Sequence, residues 1–282
     1  MTKFLIIGDL HGNKPIISTK DFDAIIAPGD FCSDALRKYM FEALKREIQT
    51  GQEYWWYEMM SKNKAKKEVR KSLKDGRKIL QFLNSFNKPI FVLPGNWDWT
   101  GRGEDWQFLK KNYWKSYLIK NLSNIKDCHK RIYNFEGINI IGHGITSGPE
   151  YPTKETIKRH SKKELVEKKK KYKKLFSQMS KKFSKAKEPV IFLSHNVPYN
   201  TSIDKIINKD SPMNGKHMGS YLARELTLKH SPLVCIGGHM HEHFGKTKLG
   251  KTVCINAGFG SYVNTILEIQ DNKIKRLKFI KK

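Results

Sequence analysis

Seven side chains stand just after short apolar runs in an order that suits metal chemistry: Asp9, His11, Asp30, Asn96, His195, His239 and His241. Asp9 and His11 are two residues apart, as are His239 and His241, so in an extended backbone each pair projects to one side and can reach a common pocket. Two carboxylates, an amide oxygen and four imidazoles, with no thiolate, suit Mn²⁺, Fe or Zn²⁺ better than Mg²⁺ or a structural cysteine zinc site. Seven ligands exceed the shell of one ion. With one carboxylate shared they hold two divalent ions, with Mn²⁺ the first choice and Fe or Zn²⁺ the alternatives. A lone Asp, Asn or His at a strand end is usually a cap or turn residue; the complete ordered set is what turns the reading toward metal.

The elements that must carry these residues are legible around them. Apolar runs at 4–8, 24–29, 90–95, 190–194 and 233–238 each lead into one ligand position. Four to six apolar residues bounded by turn signals predict strands buried on both faces, as in an α/β sheet covered by helices, where ligands collect at the carboxyl ends of the strands. Between the second and third runs, Leu36, Met40, Leu44 and Ile48 mark a helix that Asp34 is placed to cap. Ala65, Val69, Leu73, Leu80 and Leu83 mark a second, which stops before Asn87-Lys88-Pro89. These make a helical insertion over about 34–87, packed on the body through Tyr54-Trp55-Trp56-Tyr57 and Met59-Met60. A second insertion, over about 153–187, carries Ile157, Leu165, Tyr172, Leu175, Phe176, Met179 and Phe183 as a narrow apolar stripe on a long exposed helix. A hairpin turning at Glu136-Gly137 spans 131–141, and strands at 252–256, 262–269 and 273–280 follow, the last two joined at Asp271-Asn272. The reading is one domain over 1–282 with two insertions.

Taken together, Asp9-Leu10-His11, Gly29-Asp30, Gly95-Asn96-Trp97-Asp98, Ser194-His195 and Gly238-His239-Met240-His241 reproduce, in order, the blocks D-x-H, G-D, G-N-x-[DE], H and G-H-x-H. The chain therefore resembles the calcineurin-like metallophosphoesterase superfamily from residue 4 to about 260. Its last third, through His195-Asn196-Val197-Pro198, His217-Met218-Gly219-Ser220, His239-Met240-His241-Glu242 and Asn256-Ala257-Gly258, is similar to a prokaryotic group of predicted phosphoesterases. The resemblance implies a β-sandwich flanked by helices, with one metal on Asp9, His11, Asp30 and His241. It implies a second on Asp30, Asn96, His195 and His239, with Asp30 as the bridge. It further implies a phosphatase or phosphodiesterase in which hydroxide between the ions attacks phosphorus, so that Asp30, Asn96 and His195 belong to the catalytic apparatus.

The chain departs from the family at one position. Members usually have His after the motif Asn, where it protonates the leaving oxygen; here the residue is Trp97, whose indole N–H can donate a hydrogen bond but no proton. His143, His217 and Asp98 are the candidate substitutes.

Charge adds a partner class. The net charge of +27 is concentrated in two segments, +12 over 154–187 and +7 over 61–78, so it belongs to the insertions and not to the body. A field of that size attracts nucleic acid or another polyanion, although lysine predominates over the arginine that specific recognition recruits. A metal-dependent nuclease and a non-catalytic binding scaffold are accordingly the alternatives to a small-substrate phosphoesterase. Cys32, Cys128, Cys235 and Cys254 lack a CxxC spacing and read as core thiols. With neither a signal peptide nor an apolar run long enough to span a membrane, the expected location is the cytoplasm.

Overall fold

The computed structural model describes residues 1–103, 105–152, 157, 160–209, 211 and 213–281, apart from the side chain of Ile48. Its first strand, β1 (Thr2–Ile7), illustrates the logic of the whole. Phe4 and Ile6 point into one apolar cluster, Leu5 and Ile7 into another, and all four are fully buried. A strand apolar on both faces must be covered on both.

Six strands form the first sheet, in the order β12 (Lys273–Lys281), β11 (Val263–Gln270), β1, β2 (Ala24–Ala27), β3 (Ile90–Val92) and β4 (Ile125–Asp127). The second runs β5 (Ile132–Phe135), β6 (Ile138–His143), β7 (Val190–Asn196), β8 (Val234–Gly238), β10 (Thr252–Asn256) and β9 (Gly245–Leu249). In the first sheet β1 to β4 run parallel out to the β4 edge, and the antiparallel pairings lie on the other side, at β11 and β12. In the second, β6, β7, β8 and β10 form a parallel centre with antiparallel β5 and β9 at its flanks. One core lies between the sheets, where Phe4, Ile6 and Ile26 meet Ile140, Ile191 and Ile236. Helices α1 (Arg37–Thr50) and α2 (Lys62–Asn84) cover the outer face of the first sheet, and α3 (Lys162–Phe183) and α4 (Tyr221–His230) that of the second. This is the expected α/β sandwich flanked by helices. Among the described residues, no helix is long and apolar enough to cross a membrane, and all four cysteines are free and buried.

The helical insertion between β2 and β3 holds α1, a short 3₁₀ turn (Trp56–Met59) and α2, and Trp56 and Tyr57 are buried where these pack on the body. Asp34, however, caps nothing. The residue before α1 is Leu36, and the Asp34 carboxylate instead pairs with Arg37 at 2.6 Å. The basic helix is also shorter than its apolar pattern predicted. It begins at Lys162 because Ser161 and Glu164 form a reciprocal capping box, which leaves exposed Ile157 outside it. Residues 153–156, 158 and 159 of that predicted stretch lie outside the described residues. Only the final turns are buried, through Met179 and Phe183, so most of α3 stands in solvent with its lysines.

Candidate metal centre

The two-residue spacings reach a common pocket by a route other than strand alternation. β1 ends at Ile7 and β8 at Gly238, so Asp9–His11 and His239–His241 lie in the turns beyond them. His11, Asp30 and His239 all have left-handed backbones, with φ of 46°, 57° and 65°. Such φ values are uncommon outside glycine, and three together at one pocket are the kind of local strain that gathers at functional sites. The close approach needs small neighbours as well. A Cβ on Gly95 would lie 2.1 Å from Asp30 Oδ1, and one on Gly238 2.3 Å from Asp9 Oδ1.

The turns bring the side chains into two groups. Asp9, His11, Asp30 and His241 offer ligand atoms within 4.8 Å of one another, and so do Asp30, His195 and His239. Asn96 joins the second through its Oδ1, 2.9 Å from His195 Nε2. Asp30 belongs to both, with a single oxygen, Oδ2, 3.6 Å from His11 Nε2 and 3.4 Å from His195 Nε2. That same oxygen is buried with no hydrogen-bond partner, as is Asp9 Oδ1. His11 Nε2 and His241 Nε2 lie 2.9 Å apart, and two imidazole lone pairs so close repel unless a proton or cation sits between them. Orphaned carboxylate oxygens beside converging ring nitrogens fit a pair of divalent cations.

A surrounding shell holds these groups in place. His195 Nδ1 donates to the Pro28 carbonyl at 2.8 Å, which turns its Nε2 lone pair toward Asp30 and Asn96. The Trp97 backbone N–H donates to Asp30 Oδ1. Asp98, fully buried, accepts from the backbone N–H groups of Asp30, Phe31, Cys32 and Gly95 and so ties the Asp30 turn to the Asn96 turn. The Asn256 amide donates to the Met240 carbonyl between the two C-terminal histidines, and Phe259 stacks on His11 at 5.9 Å. Asp98 was legible only as a proton-donor candidate; its four N–H contacts give it a positioning part. Phe259 carried no signal, because a stacking partner has no fixed spacing from the ring it covers.

Electrostatics separate the imidazoles. Burial works to lower His195, but the charge of Asp30, aided by Asp9, outweighs it and raises it to about 9. Burial, and then the His195 charge, hold His239 down to about 4. Burial likewise lowers His11 against the pull of Asp30 and Asp9.

The calcineurin-like phosphoesterase family profile matches residues 2–243. The chain belongs to that family. No curated protein sequence matches it. One solved structure superposes with a TM-score of 0.62 at 16% identity, covering 99% of this chain and 98% of that one. The protein TT1561 of Thermus thermophilus aligns with the same coverage at 15% identity and a TM-score of 0.49. A phosphopantetheinyl hydrolase from Mycobacterium tuberculosis gives 0.51 at 12% identity, over 92% of this chain and 89% of the hydrolase. At such identities the likeness is one of fold.

The two remaining histidine candidates, His143 and His217, belong to neither of the two groups. His217 Nδ1 is 2.7 Å from Asp204 Oδ1. His217 pairs with Lys205 in an isolated bridge, and residues next to that pair touch the segments after His195 and His241: the Asn196 amide donates to the Met218 carbonyl, and the Glu242 carboxylate accepts from the N–H groups of Ile207 and Asn208. His143 is buried at the end of β6 and shares a cleft with Asn96 and Trp97. Burial, then His129, Lys130 and Arg102, hold it well below its ordinary value, so at neutral pH it carries N–H but no surplus proton.

His129 lies 5.3 Å from His143, ring to ring, and its Nδ1 accepts from the Gly144 N–H. Burial, then Lys130, Arg102, Lys115 and Arg131, depress it from 6.5 to about 3. Between those values the unfolded chain binds a proton that the folded chain excludes. The resulting stability is therefore complete above the unfolded value and is lost as pH falls toward the folded one. Thermal midpoints should fall between pH 7 and pH 4, and His129→Gln, which keeps an acceptor for Gly144, should make that fall shallower. Superimposable pH profiles for the two proteins would contradict this.

Proposed function

We propose that the chain is a dimetal phosphoester hydrolase, a phosphatase or phosphodiesterase, acting as one unit with two insertions. The observation that carries this reading is the single unpartnered oxygen of Asp30 facing His11 on one side and His195 on the other. Asp9, His11, Asp30 and His241 would hold one ion, and Asp30, Asn96, His195 and His239 the other, with Mn²⁺ favoured over Fe or Zn²⁺. When bound, such a pair supplies Lewis acidity toward the phosphoryl oxygens and a water of lowered pKa.

The chain's own residues supply position and protons. Asp98 and the Trp97 N–H fix the Asp30 carboxylate, and the Pro28 carbonyl fixes the tautomer of His195. Asp204 holds the proton on His217 Nδ1, leaving Nε2 to carry a proton to the leaving oxygen in the part that Trp97 cannot play. Adjacency of the His217 segment to both ligand loops supports this choice over His143.

The test is hydrolysis of aryl phosphate mono- and diesters by protein stripped of metal and resupplied with Mn²⁺. Turnover should appear with Mn²⁺, vanish with chelator and exceed that on a labelled oligonucleotide. Metal-independent turnover, or none on any ester, would overturn the reading. Oligonucleotide cleavage that dominates and falls steeply with salt would favour a nuclease.

A further inference from the structure

Asn96 and Trp97 line a cleft of about 760 Å³ that is also lined by residues of α3. Four cations line it: Arg102, Lys130, Lys171 and Lys174. None of them forms an ion pair among the described residues. Glu150 also lines the cleft, its carboxylate held by the Ser220 hydroxyl and the Leu222 N–H at the start of α4, and one acid against four cations leaves the lining with a net positive charge.

A second observation is independent of charge. Both ring nitrogens of His143 and the Thr146 hydroxyl are buried without a hydrogen-bond partner, and both residues line this cleft. They are 2% and 4% exposed. Buried polar atoms are nearly always satisfied, so orphaned ones on residues that line a cleft call for a ligand that bonds to them. Burial first, and then Lys130 and Arg102 among the neighbouring charges, hold both His129 and His143 below their ordinary values.

We propose that this cleft is an anion subsite for a second phosphate on the substrate, so that the enzyme acts on small phosphoesters bearing two phosphate groups, such as bisphosphates or pyrophosphate-linked esters. The four cations would neutralise the group while His143 and Thr146 donate to its oxygens. Lysine suits this task as a compact point charge, and the buried donors of His143 and Thr146 suit a ligand small enough to enter the cleft. The substrate class rests on the hydrolase reading above; the subsite itself does not.

The experiment therefore has an arm without catalysis. Metal-stripped protein is titrated with inorganic pyrophosphate by calorimetry at low salt. Wild-type protein should bind it, Lys171→Glu/Lys174→Glu should bind at least about 10-fold more weakly, and Thr146→Val should bind a few-fold more weakly. Lys162→Glu/Lys163→Glu removes equal charge from the start of the same helix, outside the cleft lining, and should change binding less than about 2-fold. Absence of binding in the wild type, or equal weakening by both double variants, would overturn the subsite. Tight binding of a single-stranded oligonucleotide without binding of pyrophosphate would overturn it too, in favour of a polyanion on the outer face of α3.

In the second arm, Mn²⁺-loaded enzyme should turn over adenosine 3′,5′-bisphosphate with a kcat/KM about 10-fold above that for adenosine 3′-monophosphate. Equal values would overturn the substrate class with hydrolysis intact. Failure on both nucleotides alongside pyrophosphate binding would leave the subsite standing and sink the catalytic reading instead.

Discussion

Asp30→Asn should reduce Mn²⁺-dependent ester hydrolysis by about 10³-fold or more. The substitution is nearly isosteric, and an amide oxygen can still accept from the Trp97 N–H, so the turn has no steric reason to collapse. What it removes is the negative charge shared by both ligand groups. Loss of charge stabilisation worth several kcal/mol corresponds to that fold-change. The variant also has a signature that does not depend on turnover. Asp30 is the chief influence raising His195 to about 9 against the opposing effect of burial, so in metal-free protein the substitution should move the His195 titration downward. Activity within about 10-fold of wild type, or an unmoved His195, would count against Asp30 as the shared ligand.

The second large effect concerns the proton. His217→Ala should lower kcat/KM for an alkyl phosphate by about 10²- to 10⁴-fold, the usual worth of a general acid, and change a nitrophenyl ester little because that leaving group departs without help. The dependence on leaving group is decisive, since a purely structural defect would slow both esters alike. Trp97→His gives the complementary result. With His217 already donating, restoring the family residue should raise alkyl-ester turnover less than about 3-fold, whereas a gain near 10²-fold would show that the site had lacked its acid.

Much of this architecture is legible in the sequence. The five apolar runs became β1, β2, β3, β7 and β8, and the three C-terminal strands and the hairpin at Glu136-Gly137 were also foreseen. Burial on both faces writes itself into sequence as continuous apolar residues, and a two-residue turn is local chemistry. β4 and β9 were not foreseen, because Ile125–Asp127 is three residues long and Gly245–Leu249 is a half-exposed flanking strand with alternating lysines. The capping box at Ser161 and Glu164 was present in the sequence, but the apolar stripe runs past it.

At the site, the convergence of the candidate ligands was readable because they stand at or just beyond strand ends, with His195 among the last residues of β7, whereas their geometry was not. The left-handed residues at His11, Asp30 and His239 break the alternation from which side-chain direction was inferred. The tertiary contacts of Asp98 with the Asp30 turn join residues nearly seventy positions apart, a distance over which no periodicity speaks. The cleft beside Asn96 is less visible still, since its cations come from a loop, a strand junction and a helix that meet only in the fold. The charge run on α3 gave a sign but no address.

Equilibrium dialysis of metal-stripped protein against Mn²⁺ tests the two-ion site most directly. Wild-type protein should take up two ions per chain, and His195→Ala, which subtracts a ligand from one group alone, should retain one. A wild type that saturates at one ion or none, or a His195→Ala protein that still binds two with unchanged affinity, would contradict it.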